Sequence, residues 1–231
     1  MNRMKLMGLG LALLFFPGIA SAAVIINPDL SLTAGTKTYY DSGAEAVYLT
    51  HTGSTNEDAT AFLFLELAGY AGSNKFGIYG FTGAGSSVTV GNTLEIFDGA
   101  ATPLTSVTLA FNILSGTVTN QSTSATASIG TIFGFYLDTP ELYRYYSHTS
   151  LNPDEKDHML LFDTTDNSVG ELFGADVVIG MEDLFGLGDK DYNDMVAGVT
   201  DVKPVPEPGT MMLLGSGLVG LAGWGRKKFR K

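Results

Sequence analysis

The 231-residue sequence has no cysteine, a single tryptophan and three histidines. Without thiols there is no disulfide, no cysteine nucleophile and no cysteine-based zinc site. The histidines have no close ligand spacing, and no G-x-S-x-G or H-E-x-x-H pattern accompanies them, so His148 and His158 read as polar strand or turn residues. Basic residues are scarce as well. Of 13 Lys and Arg, two lie within the first five positions and five within the last six, which leaves six in the body against 24 Asp and Glu. This negative excess argues against nucleic acid or anionic lipid as a partner and suits cation binding or simple solubility. Seven glycines fall within 69–91, but neither a G-x-x-x-x-G-K-[ST] run nor a strand-G-x-G-x-x-G-helix context is present. They read as turns rather than a phosphate cradle.

Long segments of 3.6-residue apolar periodicity are missing from the body, whereas short β-branched and aromatic runs recur between turn clusters. The expected strands are 46–51, 61–67, 75–81, 87–90, 93–97, 106–114, 129–137, 142–146, 158–162, 176–181 and 195–202. In 93–97 (TLEIF) Leu94 and Ile96 point one way and Thr93, Glu95 and Phe97 the other, and Asp98-Gly99 closes the run as a turn. Many short strands without intervening helices indicate an all-β fold, an antiparallel β-sandwich of jelly-roll-like type spanning about 23–202. Strand order is not legible. The uncharged Ser/Thr-rich stretch 115–128 is either a surface loop or a polar edge hairpin, and the loop is the favoured reading.

Both ends carry targeting signals. Arg3 and Lys5, the apolar run 6–16 and Ala20-Ser21-Ala22 read as a secretory signal peptide over 1–22. At the other end, a proline-spaced linker at 203–208 precedes an uncharged apolar run at 209–224, with Trp224 at its end and a basic cluster up to Lys231. That run is expected to form an apolar helix, a short membrane anchor with a positive stop, retained or transient. Pro206-Glu207-Pro208, the LLGSGLVGLAG run and the terminal RKKFRK together resemble the PEP-CTERM sorting signal. The resemblance implies an exosortase-type processing enzyme as partner, cleavage near the Pro-Glu-Pro, and delivery to the cell envelope or extracellular matrix.

The densest chemistry lies in 181–195 (MEDLFGLGDKDYNDM). Asp189, Asp191 and Asn193 alternate, so their oxygens project to one side and match positions 1, 3 and 5 of a D-x-[DN]-x-[DN]-G calcium loop. The sixth position is Asp194 instead of Gly, the twelfth is Thr200 instead of Glu, and no flanking helices are expected, which rules out an EF-hand. Glu182, Asp183 and Asp194 are available to complete an oxygen cage for Ca²⁺. Five carboxylates this close, with only Lys190 nearby, raise one another's pKa values or demand a cation. The bland alternative is a solvated acidic turn bent at Gly186 and Gly188.

Glu182-Asp183 followed by Gly188-Asp189-Lys190-Asp191-Tyr192-Asn193-Asp194, with Asn152-Pro153-Asp154 and Asp157-His158-Met159 upstream, resembles domain of unknown function 4114, a family of exported bacterial β-domains. The resemblance brings no activity, only a calcium-binding fold that often travels with PEP-CTERM tails. Tyr143 and Tyr145 in ELYRYYSH share a strand face and are candidates for glycan contact, or else half-buried strand rings. The expectation is a non-enzymatic, calcium-stabilised exported protein associated with exopolysaccharide or biofilm, with no catalytic residues assigned. A lectin-like carbohydrate-binding module and a polysaccharide hydrolase remain as alternatives.

Overall fold

The computed structural model describes residues 25–27, 31–34, 37–50, 53–66, 72–165 and 174–206. The expected signal peptide, Glu207, Pro208 and the apolar run at 209–224 lie outside the described residues. Among those residues no helix is long and apolar enough to cross a membrane.

Strands β1 (Ile25–Asn27), β2 (Ser31–Ala34) and β3 (Lys37–Tyr40) form a small antiparallel sheet. The body is built from two larger ones. The first contains β4 (Val47–Leu49), β6 (Lys75–Thr82), β7 (Thr89–Phe97), β11 (Ile132–Asp138) and β16 (Val202–Pro204), in the order β16-β4-β11-β6-β7, and β12 (Arg144–Tyr146) also pairs with β11. The second contains β5 (Asn56–Glu66), β8 (Ser106–Asn112), β9 (Thr117–Asn120), β10 (Thr126–Ser128), β13 (Met159–Asp163), β14 (Val177–Met181) and β15 (Met195–Val199), in the order β10-β9-β8-β5-β15-β14-β13. The chain passes back and forth between the sheets, with β7 over β9 and β10 and β16 over β13 and β14. The result is an all-β body of two antiparallel sheets in which many neighbouring strands are non-consecutive.

Strand alternation explains the core. In β8, Val107, Leu109 and Phe111 are buried while the residues between them are not. They meet Phe133, Phe135 and Leu137 of β11 and Phe76 and Ile78 of β6 in one continuous cluster. Phe111 stacks on Phe133 across the sandwich with ring centroids 5.6 Å apart, and Phe76 stacks on Phe135 at the same distance. Each such ring contributes about 1.5–3 kcal/mol by leaving water, which suffices for a domain of this size without disulfides.

Two expectations are corrected. The favoured loop at 115–128 is instead a polar hairpin, β9 and β10, at the edge of the second sheet. Its threonines pair across the strands, with Thr119 Oγ1 and Thr126 Oγ1 2.8 Å apart, and an uncharged Ser/Thr strand is compatible with an exposed edge. The run 195–202 is two strands in opposite sheets. The break falls at Asp201, whose φ of 59° is a left-handed conformation that Asp tolerates and that period-2 patterning cannot reveal. The start of the expected linker at 203–208 is therefore the edge strand β16, where Pro204 is accommodated because an edge position has no obligatory donor. The chain remains bound one residue further, through Val205 N–H to the Ala46 carbonyl at 2.9 Å.

On the outer face of β6 and β11, Tyr79 lies opposite Gly134 and Tyr136 opposite Gly77. A Cβ at Gly134 would stand 2.5 Å from the Tyr79 ring, and one at Gly77 2.5 Å from the Tyr136 ring. The glycines are there so that the rings can lie flat on the sheet. Gly134→Ala is expected to cost about 1–3 kcal/mol through overpacking. The measurement is a lowered urea midpoint at constant slope, and an unchanged midpoint would contradict the packing argument.

Candidate metal centre

β14 and β15 are antiparallel neighbours, so 182–194 is the connection between two strands inside the second sheet. The connection winds tightly. Gly186, Leu187, Gly188, Lys190 and Tyr192 all have left-handed φ values, between 42° and 86°. For the three non-glycine residues this is uphill by about 1–2 kcal/mol each. Burial of Leu187 and Tyr192 holds them there, together with a Tyr192 hydroxyl bond to the Asp157 carbonyl at 3.0 Å. The winding brings one carboxylate oxygen each from Glu182, Asp189 and Asp191 within 4.8 Å of one another.

These three acids differ in environment. Asp189 is exposed and Asp191 half-buried, whereas Glu182 is fully buried. Its Oε1 accepts the Tyr192 N–H at 2.7 Å, and its Oε2 is buried without a hydrogen-bond partner. A Cβ at Gly188 would stand 3.2 Å from that oxygen, so the loop backbone packs close against it. Burial pushes the Glu182 pKa up to about 7; the neighbouring charges of Asp194, Asp189 and Asp191 add to this, while the Tyr192 N–H opposes it. A buried acceptor left unpaired costs about 1–3 kcal/mol. A hard cation placed here would partner the orphaned oxygen and offset the mutual repulsion. Asn193 braces the group through its N–H to Asp191 Oδ1 at 3.2 Å and its Nδ2 to Asp191 Oδ2 at 2.5 Å.

The expected ligand set divides. Among the described residues, Asp183 and Asp194 are not in the group around Glu182. Consecutive side chains at a strand end point to opposite sides, so Glu182 faces the cluster while Asp183 turns away. Asp183 accepts Asn74 Nδ2 at 2.7 Å and donates its N–H to Asp194 Oδ2 at 2.9 Å. The Asp194 pKa is pushed up to about 6, mainly by burial; the Asp183 N–H opposes this, while the Asp183 and Asp189 carboxylates add to it. Asn74, immediately before β6, was not signalled by any local pattern, because its role is set by a contact 109 residues away.

A second loop clamps the first. Asp154 accepts the Gly186 N–H at 2.9 Å and lies 3.1 Å from His158 Nε2, while His158 Nδ1 donates to the Glu182 carbonyl at 2.9 Å. Burial acts to raise the Asp154 pKa, yet these donors hold it below the usual carboxylate value. Lys156 Nζ reaches the Gly186 carbonyl at 3.1 Å. His158 is thus a buried positioning residue. His148 is also buried, against the ring of Phe81, with centroids 4.4 Å apart.

Tyr145 stacks flat on His158 at 3.6 Å, Tyr143 stacks on Tyr145 at 6.0 Å, and Phe185 of the acidic loop lies 5.5 Å from Tyr143. The shared face expected for the two tyrosines is present. Tyr145 is fully buried, however, so only Tyr143 of the pair reaches solvent. Pro206 lies two residues beyond β16 and lines a cavity of about 240 Å³ with Phe81, Ile132 and His148.

Residues 106–201 match the family model described as domain of unknown function DUF4114, and residues 204–227 match the PEP-CTERM protein-sorting motif. No curated protein and no solved structure matches the chain. The first match holds β8 to β15 and the whole acidic loop. The sandwich needs more than that segment, since β5 lies between β8 and β15 and β6 lies beside β11. The sorting motif supports export through an exosortase-type system and association with the cell envelope.

The raised carboxylates fix the sign of a pH effect. Glu182 and Asp194 bind protons more tightly in the fold than in the unfolded chain, whose values lie near 4.5 and 3.8. The metal-free fold therefore gains stability at low pH and loses it as pH rises through about 6 to 7. In excess chelator, Tm is expected to fall between about pH 5 and about pH 7.5; a Tm that rises across this window would contradict the burial of Glu182.

Proposed function

We propose that the chain is a non-enzymatic exported protein of the cell envelope or extracellular matrix whose sandwich is stabilised by Ca²⁺ held at Glu182, Asp189 and Asp191. Asn193 Oδ1, backbone carbonyls and water would supply the remaining oxygens that Ca²⁺ takes. The observation that carries this reading is the fully buried Glu182 with an unpartnered Oε2 beside two further carboxylates. In its mature form the protein associates with exopolysaccharide, after an exosortase-type enzyme has acted near Pro206-Glu207-Pro208. The sorting-motif match supports the export and processing step.

The role suits the place. The loop joins two buried strands of a chain that has no disulfide to restrain it, and calcium outside the cell is abundant enough for a weak site. With Kd in the range of about 10⁻⁴ to 10⁻³ M typical of extracellular modules, about 10 mM Ca²⁺ adds about 1.4–2.7 kcal/mol by mass action. Thermal denaturation at about pH 7.5 is the test. Ca²⁺ is expected to raise Tm by roughly 3–10 °C for a domain of this size, and Asp191→Ala to abolish the rise. No shift at this calcium concentration, or an undiminished shift in the variant, would sink the assignment.

A further inference from the structure

Beside the acidic loop is a concavity of about 390 Å³ whose lining includes Ser73, Lys75, Asp138, Leu142 and Tyr143. We propose that it binds a neutral pyranose ring of a polysaccharide, with Tyr143 as an apolar wall and Asp138, Lys75 and Ser73 as partners for the hydroxyls. The site rests on the calcium reading in one respect, namely that the metal loop holds the outer rim.

The chemistry of the lining selects the ligand. A pyranose presents a C–H face that packs on an aromatic ring and a girdle of hydroxyls that both donate and accept. Tyr143 is 38 % exposed, Leu142 95 % and Phe185 54 %, so the rim presents three apolar side chains to solvent side by side. Leu142 also has a φ of 65°, a conformation uncommon for a branched side chain, which sets it outward in the turn between β11 and β12. The acceptor is already in position. Arg144 Nε and Nη2 grip both oxygens of Asp138 at 2.5 and 2.6 Å, and the guanidinium in turn lies 4.1 Å over the Tyr136 ring. A carboxylate fixed in this way has remaining lone pairs for a sugar hydroxyl and loses no side-chain freedom on binding.

Charge excludes acidic sugars. Lys75 is paired with Glu95 at 3.3 Å and Arg144 with Asp138, so both cations at the concavity are neutralised, and the surrounding body is acidic. A uronate or sulfate would meet net repulsion. The link to the metal runs through Phe185, which belongs to the loop between Glu182 and Asp189 and packs against Tyr143.

An array of neutral and acidic oligosaccharides probed with the full-length protein tests this. In Ca²⁺, signal is expected on neutral glycans; Tyr143→Ala should lower it at least about tenfold, Tyr143→Phe should retain it, and both variants should keep the calcium-induced rise in Tm. Chelation should weaken the signal. Absence of signal, signal confined to acidic glycans, or signal indifferent to Tyr143→Ala would overturn the site. Signal that is unchanged by chelator would overturn its coupling to the loop. Tyr143-dependent binding without any calcium effect on Tm would leave the sugar site standing and remove the metal.

Discussion

One half-satisfied carboxylate dominates the chemistry of this domain. Glu182 directly follows β14 and is fully buried, with one oxygen bound to the Tyr192 N–H and the other facing no donor. A neutral fold would place an apolar residue there or let the chain relax until water reached the acid. This fold does neither. Left-handed turns at Leu187, Lys190 and Tyr192 bring two more acids toward it, and Asp154, Lys156 and His158 close over the loop from the adjacent turn. The concentration of charge is unfavourable by itself, and under the proposed reading a divalent cation would offset it.

The sandwich supplies the rigidity that such a site requires. β14 and β15 are buried along their whole length, so the ends that emit Glu182 and Asn193 are fixed by the core. Asn74 ties the loop to the first sheet through Asp183, and the ring column from His158 through Tyr145 and Tyr143 to Phe185 connects it with the surface. A cation bound at the loop would therefore be coupled to both sheets and to the aromatic rim. The match to the sorting motif begins at Pro204, the last residue of the edge strand β16, so the folded body and the processing signal adjoin without a spacer.

Much of this was legible from residue patterns, because alternation and turn chemistry are local. The strands at 75–81, 106–114 and 176–181 correspond to β6, β8 and β14, and the D-x-D-x-N spacing located the loop. Long-range and conformational features were not legible. The split of 195–202 depends on a single left-handed Asp201, and the hairpin at 115–128 depends on an edge partner that local composition does not reveal. Glu182 was distinguished from Asp183 only by the direction each takes at the strand end, and Asn74 only by tertiary contact. Tyr145 had the composition of a binding residue, yet its ring is enclosed between Tyr143 and His158.

The most direct test is anomalous scattering from crystals grown in millimolar CaCl₂. The account predicts one peak bounded by Glu182, Asp189 and Asp191, with oxygen ligands at about 2.3–2.6 Å, including the otherwise unpartnered Oε2. A site without a peak at that calcium concentration, with Glu182 Oε2 instead bonded to water or to a protein donor, would contradict it.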